Sequence, residues 1–99
     1  MLIINKVKEN EKLTLFLIGR LDTSSSPQLE YELKESLDGV KELVLDLSEL
    51  TYISSSGLRV LLLGYKLMYD RGSMKLVHVN EEVNNILKAV GFSNVLTIE

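Results

Sequence analysis

The run Glu42-Leu43-Val44-Leu45-Asp46-Leu47 is almost continuously apolar, and stretches of helical periodicity flank it on both sides. It is too short for a buried helix and suits a strand. A strand without polar alternation is expected in a parallel sheet covered on both faces. Parallel neighbours need long crossovers, usually helical, so this run implies an α/β architecture. The rest of the chain supplies the parts. Leu2-Ile3-Ile4 and Leu13 to Ile18 are apolar and β-rich, and the charged stretch Lys8 to Lys12 between them predicts a hairpin ended by Gly19. Pro27 behind Ser26 predicts a helix start with Ser26 as its cap. Leu29, Leu33 and Leu37 at steps of four carry that helix to about Asp38, where Gly39 ends it. Gly57 to about Arg71 reads as a second helix closed by Gly72, and Lys75 to Val79 as a strand. Asn80 caps a short third helix with Val83, Ile86, Leu87 and Val90, Gly91 follows it, and Val95 to Ile98 form a last strand. The order is β-β-α-β-α-β-α-β in one domain over residues 1–99, with a mixed, largely parallel sheet, right-handed crossovers and helices packed on it.

Composition narrows the chemistry. The chain has 99 residues, 45% hydrophobic and 25% charged, with no cysteine and a net charge of −3. That is enough for one core without disulfides or a structural metal. The missing cysteines remove thiolate nucleophiles and cysteine-ligated zinc, and the acidic balance argues against direct nucleic-acid binding. His78 is the only histidine, so a His-pair metal site or a Ser-His-Asp triad would need unusual substitutes. No apolar run approaches the roughly 18 residues of a membrane span. Met1 to Val7 is too short for a signal-peptide core, so a cytoplasmic protein without membrane insertion is expected.

The most unusual local sequence is Leu50-Thr51-Tyr52-Ile53-Ser54-Ser55-Ser56-Gly57-Leu58-Arg59. Three hydroxyls stand at a helix entrance behind a strand, on the side of an α/β sheet where ligands and reactive groups gather. A helix N-terminus tolerates negative charge, so a serine there accepts a phosphate without unfolding the helix. On local physics alone plain capping is the better explanation of such serines, and Ser24-Ser25-Ser26 shows that such runs occur twice in this chain. A nucleophilic serine fares worse: the G-x-S-x-G elbow lacks its first glycine and His78 is the only base. Neither phosphate-loop pattern occurs. Asp22 and Asp46 form an acid/base pair only in principle, since Asp22 opens a polar loop and Asp46 sits near a strand end.

The segments Gly19-Arg20-Leu21-Asp22, Val44-Leu45-Asp46-Leu47-Ser48 and Tyr52-Ile53-Ser54-Ser55-Ser56-Gly57-Leu58-Arg59 resemble the STAS domain, specifically bacterial anti-sigma factor antagonists. The likeness extends over essentially the whole chain, and the third segment is its specific part. It implies a small α/β binding protein, not an enzyme, that binds an anti-sigma factor/serine kinase of the ATPase type and so releases a sigma factor. It implies no cofactor, ATP being supplied by the kinase. Phosphorylation of a serine at the start of the second helix abolishes binding, and a serine phosphatase restores it. In the family's Asp-Ser-Ser-Gly-Leu register the acceptor falls on Ser55, with Ser56, Gly57 and Leu58 following. Ser54 replaces the usual aspartate, which removes a negative charge beside the acceptor and leaves Ser54, like Ser56, a rival. Asp22 matches the family's acidic residue near the acceptor. Many members carry a further helix after the last strand, and no residues for one follow Glu99 in this sequence.

The second helix supports a binding role on its own pattern. Leu58, Leu61, Leu62, Tyr65, Met68 and Tyr69 make one core stripe, while Val60, Leu63 and Leu67 make a second. The second stripe is either a partner patch, together with Arg59 and with Leu63 its most exposed member, or part of a wide buried face. Two other readings stay open: a STAS regulatory subunit of a membrane lipid transporter or stress-signalling assembly, and a small serine hydrolase.

Overall fold

The structure, a computed structural model, describes all 99 residues. Strands β1 (Leu2–Glu9) and β2 (Lys12–Leu21) form the hairpin, followed by helix α1 (Ser26–Ser36) and strand β3 (Glu42–Ile53). Helix α2 (Ser55–Met68), strand β4 (Ser73–Val77), helix α3 (Glu81–Ala89), a 3-10 turn (Phe92–Asn94) and strand β5 (Thr97–Ile98) complete the chain. The sheet order is β1-β2-β3-β4-β5; β1 and β2 are antiparallel and every other pair is parallel. The predicted α/β order is therefore the observed one. No helix is long and apolar enough to cross a membrane.

One expectation fails instructively. Leu13, Leu15, Leu17, Leu43, Leu45, Met74 and Leu76 face a single core with Leu29 and Leu33 of α1, Leu61 and Met68 of α2, and Val83 and Leu87 of α3. Their alternates on the strands, Phe16, Ile18, Val44 and Val77, lie outside that core, as do Ile3 and Val7. The helices thus cover one face, not two. Strands laid down in strict sequential order step the same way at each parallel crossover, and right-handed crossovers then put every helix on the same side. Each large side chain buried on the covered face contributes about 1.5–3 kcal/mol.

Boundaries shift where side chains take over backbone work. Strand β3 runs past the apolar stretch to Ile53, absorbing two extra residues against β2 between Phe16 and Ile18 and between Gly19 and Arg20. The Thr51 hydroxyl donates to the Gly19 carbonyl at 2.9 Å, and Asn80 Nδ2 donates to the Leu50 carbonyl at 2.7 Å. Polar residues thus anchor an extension that hydropathy does not register. Helix α1 ends at Ser36, two residues earlier than its periodicity predicts, with Leu37 and Gly39 in the turn. Helix α2 stops at Met68, because Gly72 folds back onto the Lys41 carbonyl more closely than any side chain would permit. Tyr69 therefore leaves the core stripe and stands exposed, edge-to-face with Tyr65 at 6.1 Å. Beyond β4, His78 takes a left-handed φ of 55°. The 3-10 turn reduces the last strand to Thr97–Ile98.

Candidate functional site

The tips of β2 and β3 bring the two singled-out loops together. The Ser54 amide donates to the Leu21 carbonyl at 2.9 Å, so the start of α2 sits beside the loop that begins at Asp22. Gly57 makes this approach possible. A Cβ there would lie 2.8 Å from Leu21 Cγ and 2.9 Å from the Leu21 carbonyl, so α2 presses its first turn directly onto the strand ends. Gly57 is consequently buried and serves packing; it is not part of the accessible surface.

The three serines of this entrance have different tasks. Ser54 is the N-cap: its hydroxyl accepts the Gly57 amide at 3.2 Å, so α2 begins two residues ahead of Gly57. Ser55 is the first helical residue, exposed, and its hydroxyl makes no hydrogen bond within the chain. Ser56 is half-buried and lines a groove between α1 and α2. Arg59, exposed, and Leu63, half-buried, line the same groove. The second apolar stripe divides: Val60 is buried in the core with an edge on the groove, and Leu67 packs against the core. Of the expected core stripe, Leu62 lies instead along the groove, while the unforeseen Gly64 joins the buried face because Met74 and Leu33 leave room for nothing larger.

Asp22 organises its own loop. Its carboxylate accepts the amides of Ser24 and Ser25 and the Ser25 hydroxyl, each at 3.1 Å. The Ser25 amide, with the Ser25 hydroxyl and the Ser24 amide, outweighs the upward push of desolvation and holds the Asp22 carboxyl below its ordinary 3.8. Ser25 is buried; its single O–H is shared between the Arg20 carbonyl at 2.7 Å and the Asp22 carboxylate, and its oxygen accepts the Asp22 amide at 2.9 Å. Ser26 does not cap α1; its hydroxyl donates to the Asp22 carbonyl at 2.6 Å. Sequence reasoning missed Ser25, although an aspartate three residues ahead of a serine is the pattern of a self-bonded turn. It also missed Arg20 and Tyr52, paired across β2 and β3, whose guanidinium lies 4.2 Å above the ring.

Asp46 has partners of its own, distinct from those of Asp22. Asp46 is buried, accepts the Ser48 amide at 3.0 Å and lies 2.8 Å from His78 Nδ1. Desolvation pushes its carboxyl up, but the Ser48 amide and the His78 ring more than offset this, and the net shift is downward. An ionised carboxylate only accepts, so the His78 Nδ1–H donates to it. No hydrogen bond joins His78 to a serine. Ser55 presents a hydroxyl without a hydrogen-bond partner in the first turn of α2, open to solvent.

Residues 3–99 match the STAS domain family. BtrV of Bordetella bronchiseptica is 37% identical over 84 residues, 83% of this chain and 72% of that protein. An anti-sigma F factor antagonist of Paenibacillus polymyxa is 32% identical over 89 residues, 87% of this chain and 76% of that protein. Among solved structures, an anti-sigma factor antagonist from Mycobacterium paratuberculosis superposes with a TM-score of 0.90 at 18% identity, covering 99% of this chain and 85% of that one. The Bacillus cell fate determinant SpoIIAA in its phosphorylated form gives 0.75 at 15% identity, covering 100% and 91%. With the family matched over nearly its whole length and the fold superposing throughout, the chain belongs to the STAS domain family.

Proposed function

We propose that this STAS domain is an anti-sigma factor antagonist switched at Ser55. In the unphosphorylated form it binds an anti-sigma factor that is also a serine kinase, and the sigma factor is released. The kinase brings ATP and the base; the Ser55 hydroxyl attacks the γ-phosphorus as its proton passes to that base, the bond to the bridging oxygen breaks, and ADP leaves. A serine phosphatase hydrolyses the phosphate and restores binding. The observation that carries this reading is the division of labour in the serine run, where Ser54 is engaged as the cap and Ser55 alone is both exposed and unbonded. The names of the related proteins support the same reading. A phosphate adds about −1.5 to −2 charge, which the first turn of α2 accommodates, while a partner surface fitted to a neutral hydroxyl does not.

The test is incubation of the purified chain with the anti-sigma factor kinases of its source organism and ATP, with binding measured before and after and phosphate mapped by mass spectrometry. A complex that forms without ATP and is lost as Ser55 is modified is the expected result. Failure of any anti-sigma factor to bind overturns the assignment, and modification at Ser54 or Ser56 moves the switch.

A further inference from the structure

The seam between α1 and α2 opens outward as a groove of about 450 Å³. Pro27, Val60, Leu62 and Leu63 supply its apolar lining, Ser56 lies along it, and Arg59 and Lys66 are its cations. Glu30, on the α1 side, is already bound to Lys34 at 2.8 Å. Arg59 and Lys66 have no acidic partner anywhere in the chain. On a protein of net charge −3 this groove is therefore a local excess of positive charge beside an apolar strip. Arg59 and Lys66 stand two helical turns apart, about 10.5 Å along the axis.

We infer that the groove docks an acidic amphipathic helix of the anti-sigma factor, with apolar side chains on Leu62 and Leu63 and carboxylates on Arg59 and Lys66. The inference rests on the function proposed above and adds the chemistry of the partner segment. Helix-in-groove recognition needs an apolar strip for affinity and flanking charges for register, and both are present. A second copy is an outcome of the test: Glu30 and Glu32 of α1 already pair with Lys34 and Lys6, whereas Glu35, Glu81 and Glu82 are exposed and make no such pair. Charge also gives the switch its sign. Ser55 lies one turn ahead of Arg59, so a phosphate there competes for the Arg59 guanidinium and repels the carboxylates that the groove attracts.

The test measures affinity for the anti-sigma factor at low and high salt, using the full chain and the variants Arg59→Glu, Lys66→Glu and Lys88→Glu. Lys88 is exposed on α3, outside the groove, and equally lacks an acidic partner. Circular dichroism checks that each variant is folded. Reversal at Arg59 or Lys66 is expected to weaken binding about fivefold to tenfold, more at low salt, and reversal at Lys88 less than about twofold. Unchanged affinity of the first two variants, or an equal loss with Lys88→Glu, overturns the groove assignment while leaving the proposed function standing. A wild-type dimer in sedimentation that Arg59→Glu dissociates also overturns it, in favour of a second copy. Absence of any wild-type complex defeats the function itself and the occupant with it.

Discussion

The chain carries two runs of three serines, Ser24–Ser26 at the entrance of α1 and Ser54–Ser56 at the entrance of α2, beyond the ends of neighbouring parallel strands. They resemble each other in composition and in position, yet they do different things. In the first run, Ser25 and Ser26 are buried and bonded to Arg20 and Asp22, and the loop is built from their hydroxyls. In the second, one hydroxyl caps the helix and the next faces solvent without a partner. The lesson is that a serine-rich helix entrance becomes chemically available only where the hydroxyls are not needed to hold the loop. Asp22 decides this for the first run by gathering two amides and a hydroxyl onto its carboxylate. At the second, Ser54 does the capping itself.

This contrast can be attacked at several points. Gly57→Ala should do the most damage, about 2–3 kcal/mol, because the added methyl meets Leu21 and Ile53 within 2.9 Å and pushes the second entrance off the strand tips. Chemical denaturation reads this directly. Ser25→Ala should cost about 1–2 kcal/mol, since it strips partners from the Arg20 carbonyl and the Asp22 amide. The same measurement on Ser54→Ala should give about 1 kcal/mol, the ordinary value of a lost N-cap.

A pH experiment separates the loops further. The folded Asp22 carboxyl lies below its ordinary 3.8, so the unfolded chain binds more protons around that pH. Its contribution to stability is present above about pH 4 and is lost as pH falls through the lowered folded value. Asp46 acts with the same sign. Thermal unfolding of Asp22→Asn between about pH 5 and pH 2 should therefore show a shallower, but not absent, acid dependence. Ser55→Ala is the smallest of the set, changing stability by less than about 0.5 kcal/mol, as expected for an exposed group without partners. A large effect there would erase the distinction between the runs.

The pattern of hydrophobic runs and glycines foretold the five strands and three helices, because α1, α2 and α3 each carry a periodic face and a recognisable stop, but not the 3-10 turn Phe92–Asn94 that shortens the last strand. It did not foretell the bare face of the sheet. Val44 is buried at 4% although it lies outside the core, so its apolar character comes from a position amid its strand neighbours, not from a helix above it. One apolar run cannot distinguish these two kinds of shielding. The site was legible in position and not in assignment. Ser54, Ser55 and Ser56 were all visible as candidates, but which one caps depends on where α2 begins, and that is set by contacts of Gly57 with Leu21 and Ile53. Asp22 was visible as a loop carboxylate; its three bonds require the turn that Ser25 closes from a distance of three residues.

In the proposed switch, charge on Ser55 abolishes docking without unfolding the domain. The most direct measurement compares the chain carrying phosphoserine at position 55, installed during synthesis, with the unmodified chain in binding to the anti-sigma factor, with thermal unfolding recorded on both. Binding is expected to be lost while the folded domain persists with a closely similar melting temperature. Equal affinity of the two forms, or a phosphorylated chain that no longer folds, would contradict it.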